Sequence, residues 1–254
     1  MSVQSEITRL ENAKAAIKNA IEGKGVTVPD ATLLDGMATL IESIEAGGGE
    51  AENALNEFIA RISSNTLEEL NSNMATPISA AWGRSLTNLK RINLPNCPGT
   101  SATNTWYAFS GANWEEINMP SAYRLGSRTF SGSKAGTKIS FPSLAEMGSE
   151  NFMDCSALKT AEFGREAISG YGATIAARTF SGTALDTLIL RASDRIWALG
   201  NVSAFSGTPI ESGSGYIYVP STLLDEYKAA TNWSTFENQF RAIEDYPEIT
   251  GGTT

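Results

Sequence analysis

The chain contains no histidine. That removes the commonest general base, the commonest neutral zinc ligand and every Ser-His-Asp or Cys-His arrangement. Cysteine is nearly absent too. Cys97 and Cys155 stand in unrelated surroundings, too few for a disulfide framework or a zinc site, and read as two reduced small hydrophobes. There is no run of Lys or Arg: 19 basic residues are scattered among 28 acidic ones, for a formal net charge of −9. A phosphate-binding surface needs clustered cations to displace counterions, so nucleic acid and anionic membrane are not expected partners. No stretch approaches about 18 consecutive apolar residues, and the opening MSVQSEITRLENAK has neither a basic n-region nor an apolar h-region. Neither a membrane span nor a secretory signal is expected. No nucleotide loop, metal constellation or redox motif is found, so no metal, cofactor or catalytic residue is assigned.

What the chain does contain begins with a helical head. Residues 3–22 lack Gly and Pro, and Ile7, Leu10, Lys14, Ile17 and Ile21 alternate at spacings of three and four. This is an a/d seam with one polar break at Lys14. Gly23 and Gly25 are expected to stop the helix with left-handed geometry. A second helix is announced by Pro29 and by Thr32 with Asp35, and its apolar face is Leu33, Met37, Leu40, Ile41 and Ile44. A Gly-rich linker follows at 47–49. Leu55, Phe58, Ile59 and Ile62 then mark a third helix, and Asn65-Thr66 with Glu69 predicts a short fourth one through Leu70. The expected division is 1–46 as a helical attachment or oligomerisation module, 47–77 as linker and helical neck, 78–220 as a repeat domain and 221–254 as its cap. The seam of about two and a half heptads is too short to be stable alone. It must be covered by the next helix or by copies of itself.

The repeat is carried by an aromatic in a fixed context: Phe109-Ser-Gly, Phe130-Ser-Gly, Phe152-Met-Asp, Phe180-Ser-Gly and Phe205-Ser-Gly, with Trp82-Gly83 where an earlier copy would begin. Each aromatic is followed by a short alternating segment, such as Ile92-Asn-Leu-Pro, Ile117-Asn-Met-Pro, Ile139-Ser-Phe-Pro and Ile217-Tyr-Val-Pro. Apolar residues two apart share one face of a strand, and Pro ends it. Leu125, Met147 and Ile175 each stand five before their Phe; Asn104 breaks that pattern. One repeat cannot bury its own apolar face, so the repeats must stack. The predicted fold is α+β: a small helical module, then a solenoid of about six coils with a short parallel sheet and a helical C-terminal cap. Strands are predicted near 93, 118, 140, 162, 189 and 218. Trp82, Phe109, Phe130, Phe152, Phe180 and Phe205 are expected in its core. The cap draws its apolar face from Leu223, Leu224, Tyr227, Ala230, Trp233, Phe236, Phe240 and Ile243.

The aromatic-Ser-Gly-(x)n-Leu-x-x-Ile-x-Leu-Pro pattern resembles the BspA-type leucine-rich repeat over residues 78 to 220. The head, from Ile7-Thr-Arg-Leu10 to the exit Gly25-Val-Thr-Val-Pro29, resembles the N-terminal module of phage and prophage tail proteins. That resemblance implies a virion protein of a tail or baseplate, made in the host cytoplasm, whose head docks on other tail proteins or on itself, commonly as a trimer or ring. The repeat domain would face a host surface glycan or protein. Trp106, Tyr107, Tyr123 and Trp197 stand outside the repeat-core places and form the expected ligand face; Trp114 takes the place of the repeat Leu. One alternative is a tail-associated polysaccharide hydrolase working with two carboxylates. Its candidates are Glu115, Glu116, Glu146, Glu162 and Asp186, although no spacing singles out a pair. The other alternative is a bacterial surface adhesin.

Overall fold

In the computed structural model the described residues are 3–24, 26–29, 32, 37, 40–41, 54, 56–84, 86–101, 106–164 and 174–250. The linker at 47–49, Asp35, Leu33, Ile44, Leu55 and Asn104 lie outside them. The chain divides into two compact units, residues 1–63 and 64–254.

The first unit contains the helix α1, Val3–Glu22, over the stretch free of Gly and Pro. Of the seam, Ile21 is buried, in a small cluster with Val28 and Met37 against which Val26 and Leu40 pack. Ile7, Leu10 and Ile17 are exposed, and Lys14 is half-buried. Gly23 does not take the expected left-handed conformation: its N–H still donates to the Asn19 carbonyl at 2.9 Å, continuing the helical pattern by one residue. No helix among the described residues is long and apolar enough to cross a membrane.

The second unit is built from parallel strands. β1 (Glu69–Asn71), β2 (Arg91–Asn93) and β3 (Glu116–Asn118) form one sheet. β5 (Lys138–Phe141), β7 (Thr160–Phe163), β9 (Thr187–Leu190), β11 (Tyr216–Val219) and β12 (Phe240–Ala242) form a second, in that order. The pairs β4 (Arg124–Leu125) with β6 (Glu146–Met147), and β8 (Thr174–Ile175) with β10 (Ala198–Leu199), are shorter parallel ladders. Equivalent apolar positions stand in register: Leu70 opposite Ile92, Ile92 opposite Ile117, Ile139 opposite Ala161, Ala161 opposite Leu188 and Leu188 opposite Ile217. All six predicted strands are found, with two departures. First, the sheet is interrupted between β3 and β5. The break coincides with Trp114, whose ring lies against Gly136 so closely that a Cβ there would meet it at 1.7 Å. Second, residues 69–71 are a strand and not the expected helix. The Asn65 side chain does not cap a helix; it donates to Thr87 Oγ1 at 2.6 Å, one repeat on.

The repeat Phe side chains form a row. Successive ring centroids from Phe109 through Phe130, Phe152 and Phe180 to Phe205 are 5.5, 5.7, 5.8 and 5.9 Å apart, with planes 8 to 11° from parallel. The first four Phe N–H groups each donate to the residue before the next Phe: Phe109 to Thr129, Phe130 to Asn151, Phe152 to Thr179 and Phe180 to Ala204, at 2.8–3.0 Å. The turn backbone therefore makes its own ladder, separate from those of the strands. Two residues after each Phe, Gly111, Gly132, Asp154, Gly182 and Gly207 have positive φ, which is why Gly dominates that place.

Trp82 is a correction. It is 42% exposed and only edges against Phe109, at 6.0 Å. The ladder shows the reason: Gly83, not Trp82, donates to Ala108 and so holds the backbone place of the repeat Phe. A Cβ on Gly83 would meet the Phe109 ring at 2.6 Å, so a side chain there would force that ring to move. At the far end the row meets Trp233 and Phe236, at 5.9 and 5.2 Å from Phe205. A short helix, α2 (Leu224–Ala229), buries Tyr227 beside them. Phe240, expected on a helix, lies instead on β12, paired in parallel with β11.

Candidate functional site

Two residues before Gly83 and before each repeat Phe except Phe205, the backbone is unusual. Ala81, Tyr107, Arg128, Glu150 and Arg178 all have φ between 54 and 64°. Outside Gly this geometry costs about 1–2 kcal/mol per residue. In the first four the N–H bonds to the carbonyl of the neighbouring repeat: Ala81 to Trp106, Tyr107 to Ser127, Arg128 to Ser149 and Glu150 to Ala177, at 2.9–3.1 Å. The side chains Tyr107, Arg128, Glu150 and Arg178 are thereby set in a row, about 5 Å apart by parallel-strand spacing.

Glu150 is the centre of this row. Only 5% of its side chain is exposed, and it accepts hydrogen bonds from Arg128 Nε on one side and Arg178 Nη2 on the other. Burial works to raise its carboxyl pKa. The Arg128 hydrogen bond and the two guanidinium charges outweigh that, so the group lies below the ordinary carboxylate range. The bond from Glu150 in turn raises Arg128. Arg128 Nη1 also donates to Tyr107 Oη, and its guanidinium lies 5.3 Å over the Tyr107 ring and 6.0 Å over Trp106. Arg84 lies over the Tyr107 ring at 4.6 Å. A cleft of about 280 Å³ opens here, lined by Trp106, Ser127, Arg128, Ser149, Glu150, Ala177 and Arg178.

Trp106 is 48% exposed at the edge of this cleft and Tyr107 is half-buried beside it. Tyr123 is also half-buried but does not line the cleft. It carries the Arg124 guanidinium 5.2 Å over its ring, and Arg124 is paired with Glu146. Trp197 is a second correction. It is 1% exposed, stacks on Phe163 at 5.5 Å, and its carbonyl accepts from Trp233 Nε1 at 2.6 Å. Its backbone N–H donates to the Tyr227 hydroxyl at 2.8 Å. The C-terminal segment thus buries Trp197, and only three of the four expected face residues reach the surface. Trp114 is fully buried and donates from Nε1 to the Phe130 carbonyl, as befits the place of the repeat Leu.

The carboxylates weighed for hydrolysis do not converge on this cleft. Glu115 and Glu116 are exposed, Glu146 pairs with Arg124, Glu162 pairs with Arg191, and Asp186 accepts from Thr187 Oγ1. Both thiols are buried, and burial pushes Cys155 up to about 12 and also raises Cys97. Arg128, Glu150 and Arg178 were not singled out from sequence. The available signal was a charge of alternating sign in a constant place, two residues before the Phe.

These observations define a parallel-β repeat protein with a stacked-Phe core. Residues 84–209 match the BspA type Leucine rich repeat region, in six copies. The parallel strands continue beyond that match at both ends, as β1 and β12. A comparison with curated proteins finds no match for the chain.

Proposed function

We propose that the chain is a non-catalytic virion protein of a phage tail or baseplate, whose repeat domain presents the Trp106–Arg178 cleft to a host surface. The finer architecture belongs to the same proposal: residues 69–242 form one continuous solenoid, closed by the C-terminal segment packed on Phe205. The register within each of the two sheets, and the even ring spacing from Phe109 to Phe205 that runs past the break between them, support that reading.

The observation that carries the function is the cleft itself. An exposed indole, two ordered guanidinium groups and a buried carboxylate are held on a backbone that is hydrogen-bonded repeat to repeat. Binding surfaces draw their energy from aromatic and Arg side chains held ready in place. The tail assignment draws on the head, whose Ile7, Leu10 and Ile17 lie exposed on α1. An apolar seam left open on a short helix is suited to docking on another tail protein or on copies of itself. Gold-labelled antibody against the chain, applied to tailed particles released from the producing cells, should decorate the tail. Label on the cell envelope instead would overturn the tail assignment in favour of the surface adhesin.

A further inference from the structure

We propose that the cleft between Trp106 and Arg178 binds a saccharide ring bearing a carboxylate, a hexuronate in type. This inference rests on reading the repeat domain as a host-surface binding module, and it names the chemistry that the module selects. The argument begins with donors and acceptors. Both oxygens of Glu150 are taken, one by Arg128 and one by Arg178. A guanidinium has five N–H donors in a fixed fork. Arg178 commits one to Glu150, and its side chain is 57% exposed. The cleft therefore offers spare charged donors, while the carboxylate that lines it is buried and already bonded at both oxygens. Its complement is a ligand rich in acceptors.

Charge points the same way. Arg128, Arg178 and Glu150 sum to +1, and Arg84 adds a further positive charge over Tyr107. The chain as a whole carries −9. A local positive site on an acidic protein discriminates among ligands: it accepts an anion while the rest of the surface repels polyanions. The ring follows from Trp106. A half-exposed indole at the edge of the cleft gives a flat apolar platform, and aromatic faces are suited to the CH-rich face of a pyranose. From Trp106 to Ala177 is three repeats, about 14 Å at parallel-strand spacing, so a short oligosaccharide can lie along the row while one ring and its acid occupy the 280 Å³ cleft. Glu150 is a positioning residue. It fixes both guanidinium planes before the ligand arrives, so less side-chain entropy is lost on binding.

Titration calorimetry on the full chain tests this with three probes. They are an alternating hexuronate–N-acetylhexosamine tetrasaccharide, the neutral N-acetylglucosamine tetrasaccharide, and a glycerol phosphate oligomer. The acidic tetrasaccharide should bind, and the neutral one should bind about tenfold more weakly or not at all, as expected for loss of a charge-assisted hydrogen bond. Trp106→Ala and Arg178→Gln should each remove most of the affinity. Trp106 is half-exposed and carries no side-chain hydrogen bond that the fold depends on, so Trp106→Ala should melt as the parent does; Arg178→Gln, which takes one of its two partners from Glu150, should melt somewhat lower, and should one variant not fold the other still decides. Equal binding of the neutral sugar, or binding of glycerol phosphate that survives Trp106→Ala, would overturn the hexuronate assignment. Silence from all three probes would overturn the site. The tail assignment would stand or fall separately, by particle labelling.

Discussion

Replacing Gly136 by alanine should destabilise the repeat unit only while Trp114 is present. The Cβ that alanine adds would lie 1.7, 2.1 and 2.6 Å from three atoms of the Trp114 ring. The indole cannot step aside freely. It is fully buried, edged by Phe130 and Phe152 at 6.4 Å each, and tied by Nε1 to the Phe130 carbonyl at 3.1 Å. Overpacking of this kind costs about 1–3 kcal/mol. In a unit of this size that lowers the melting temperature by about 2–12 °C, at about 2–4 °C per kcal/mol. Trp114→Leu restores the residue that the repeat pattern expects and removes the atoms that clash. It is itself destabilising, since it loses the indole packing, but on that background Gly136→Ala should be close to neutral. The coupling in the double-mutant cycle should therefore be about 1–3 kcal/mol. Far-UV circular dichroism during thermal and urea unfolding of the four proteins provides the measurement. If Gly136→Ala costs the same with Trp or Leu at 114, then the close approach is not what selects glycine, and the account of the break between β3 and β5 fails with it.

Phe130→Ala should cost about 3–5 kcal/mol by leaving a cavity within the stacked row, whereas Glu115→Ala, on an exposed side chain, should stay within about 0.5 kcal/mol; equal small effects in urea unfolding would count against the core. The folded-state pKa of Glu150 is depressed, so the stability it contributes is complete above the ordinary Glu value of about 4.3 and is lost as pH falls through the lower folded value. Glu150→Gln should accordingly be less stable than the parent at neutral pH, with the gap closing in acid; a gap independent of pH would refute the ion-pair role. Cys155, with its thiol pushed to about 12, and buried Cys97 should resist iodoacetamide in the folded chain and react on unfolding, as mass spectrometry would record. Ile17→Asp should abolish self-association of the full chain in light scattering and leave the melting of residues 64–254 unchanged; a parent already monomeric, with a variant still incorporated into particles, would remove the head as the attachment device.

The parts of the fold legible in the sequence are those where a side-chain rule and a backbone rule coincide. Phe-Ser-Gly joins a buried ring to a positive-φ glycine, and Ile-x-Leu-Pro joins strand alternation to a strand stop, so both were found with the right spacing. Where only one rule operates, the reading failed. β1 has the repeat's Leu67-x-x-Leu70 spacing but neither the aromatic nor the Pro, and the cap-like Thr66 with Glu69 argued for a helix. Trp233, Phe236, Phe240 and Ile243 follow helical spacing, yet Phe240 pairs as strand because β11 leaves an open edge beside it. At Trp82 the ring alone suggests a repeat place, although the place that recurs is defined by a backbone hydrogen bond and is occupied by Gly83. For the cleft, Trp106 is legible as an exposed aromatic. The three charged residues of the cleft are not, since a charge run along a stack is spread through the sequence at intervals of a repeat. Trp197 failed for the opposite reason: nothing local signals that a segment 30 residues later will cover it.

The ring spacing in the Phe row is nearly constant, from 5.5 to 5.9 Å, while the sequence interval between rings grows from 21 residues (Phe109 to Phe130) to 28 (Phe152 to Phe180). The stack therefore works as a ruler that ignores how much chain is threaded between its marks. Residues can be inserted or removed in one repeat without shifting the rise of the next. Length variation and the geometry of the core are decoupled. A lineage under pressure to change what its surface recognises could alter loops, or gain and lose whole repeats, while the spacing of the remaining guanidinium and aromatic groups is inherited intact.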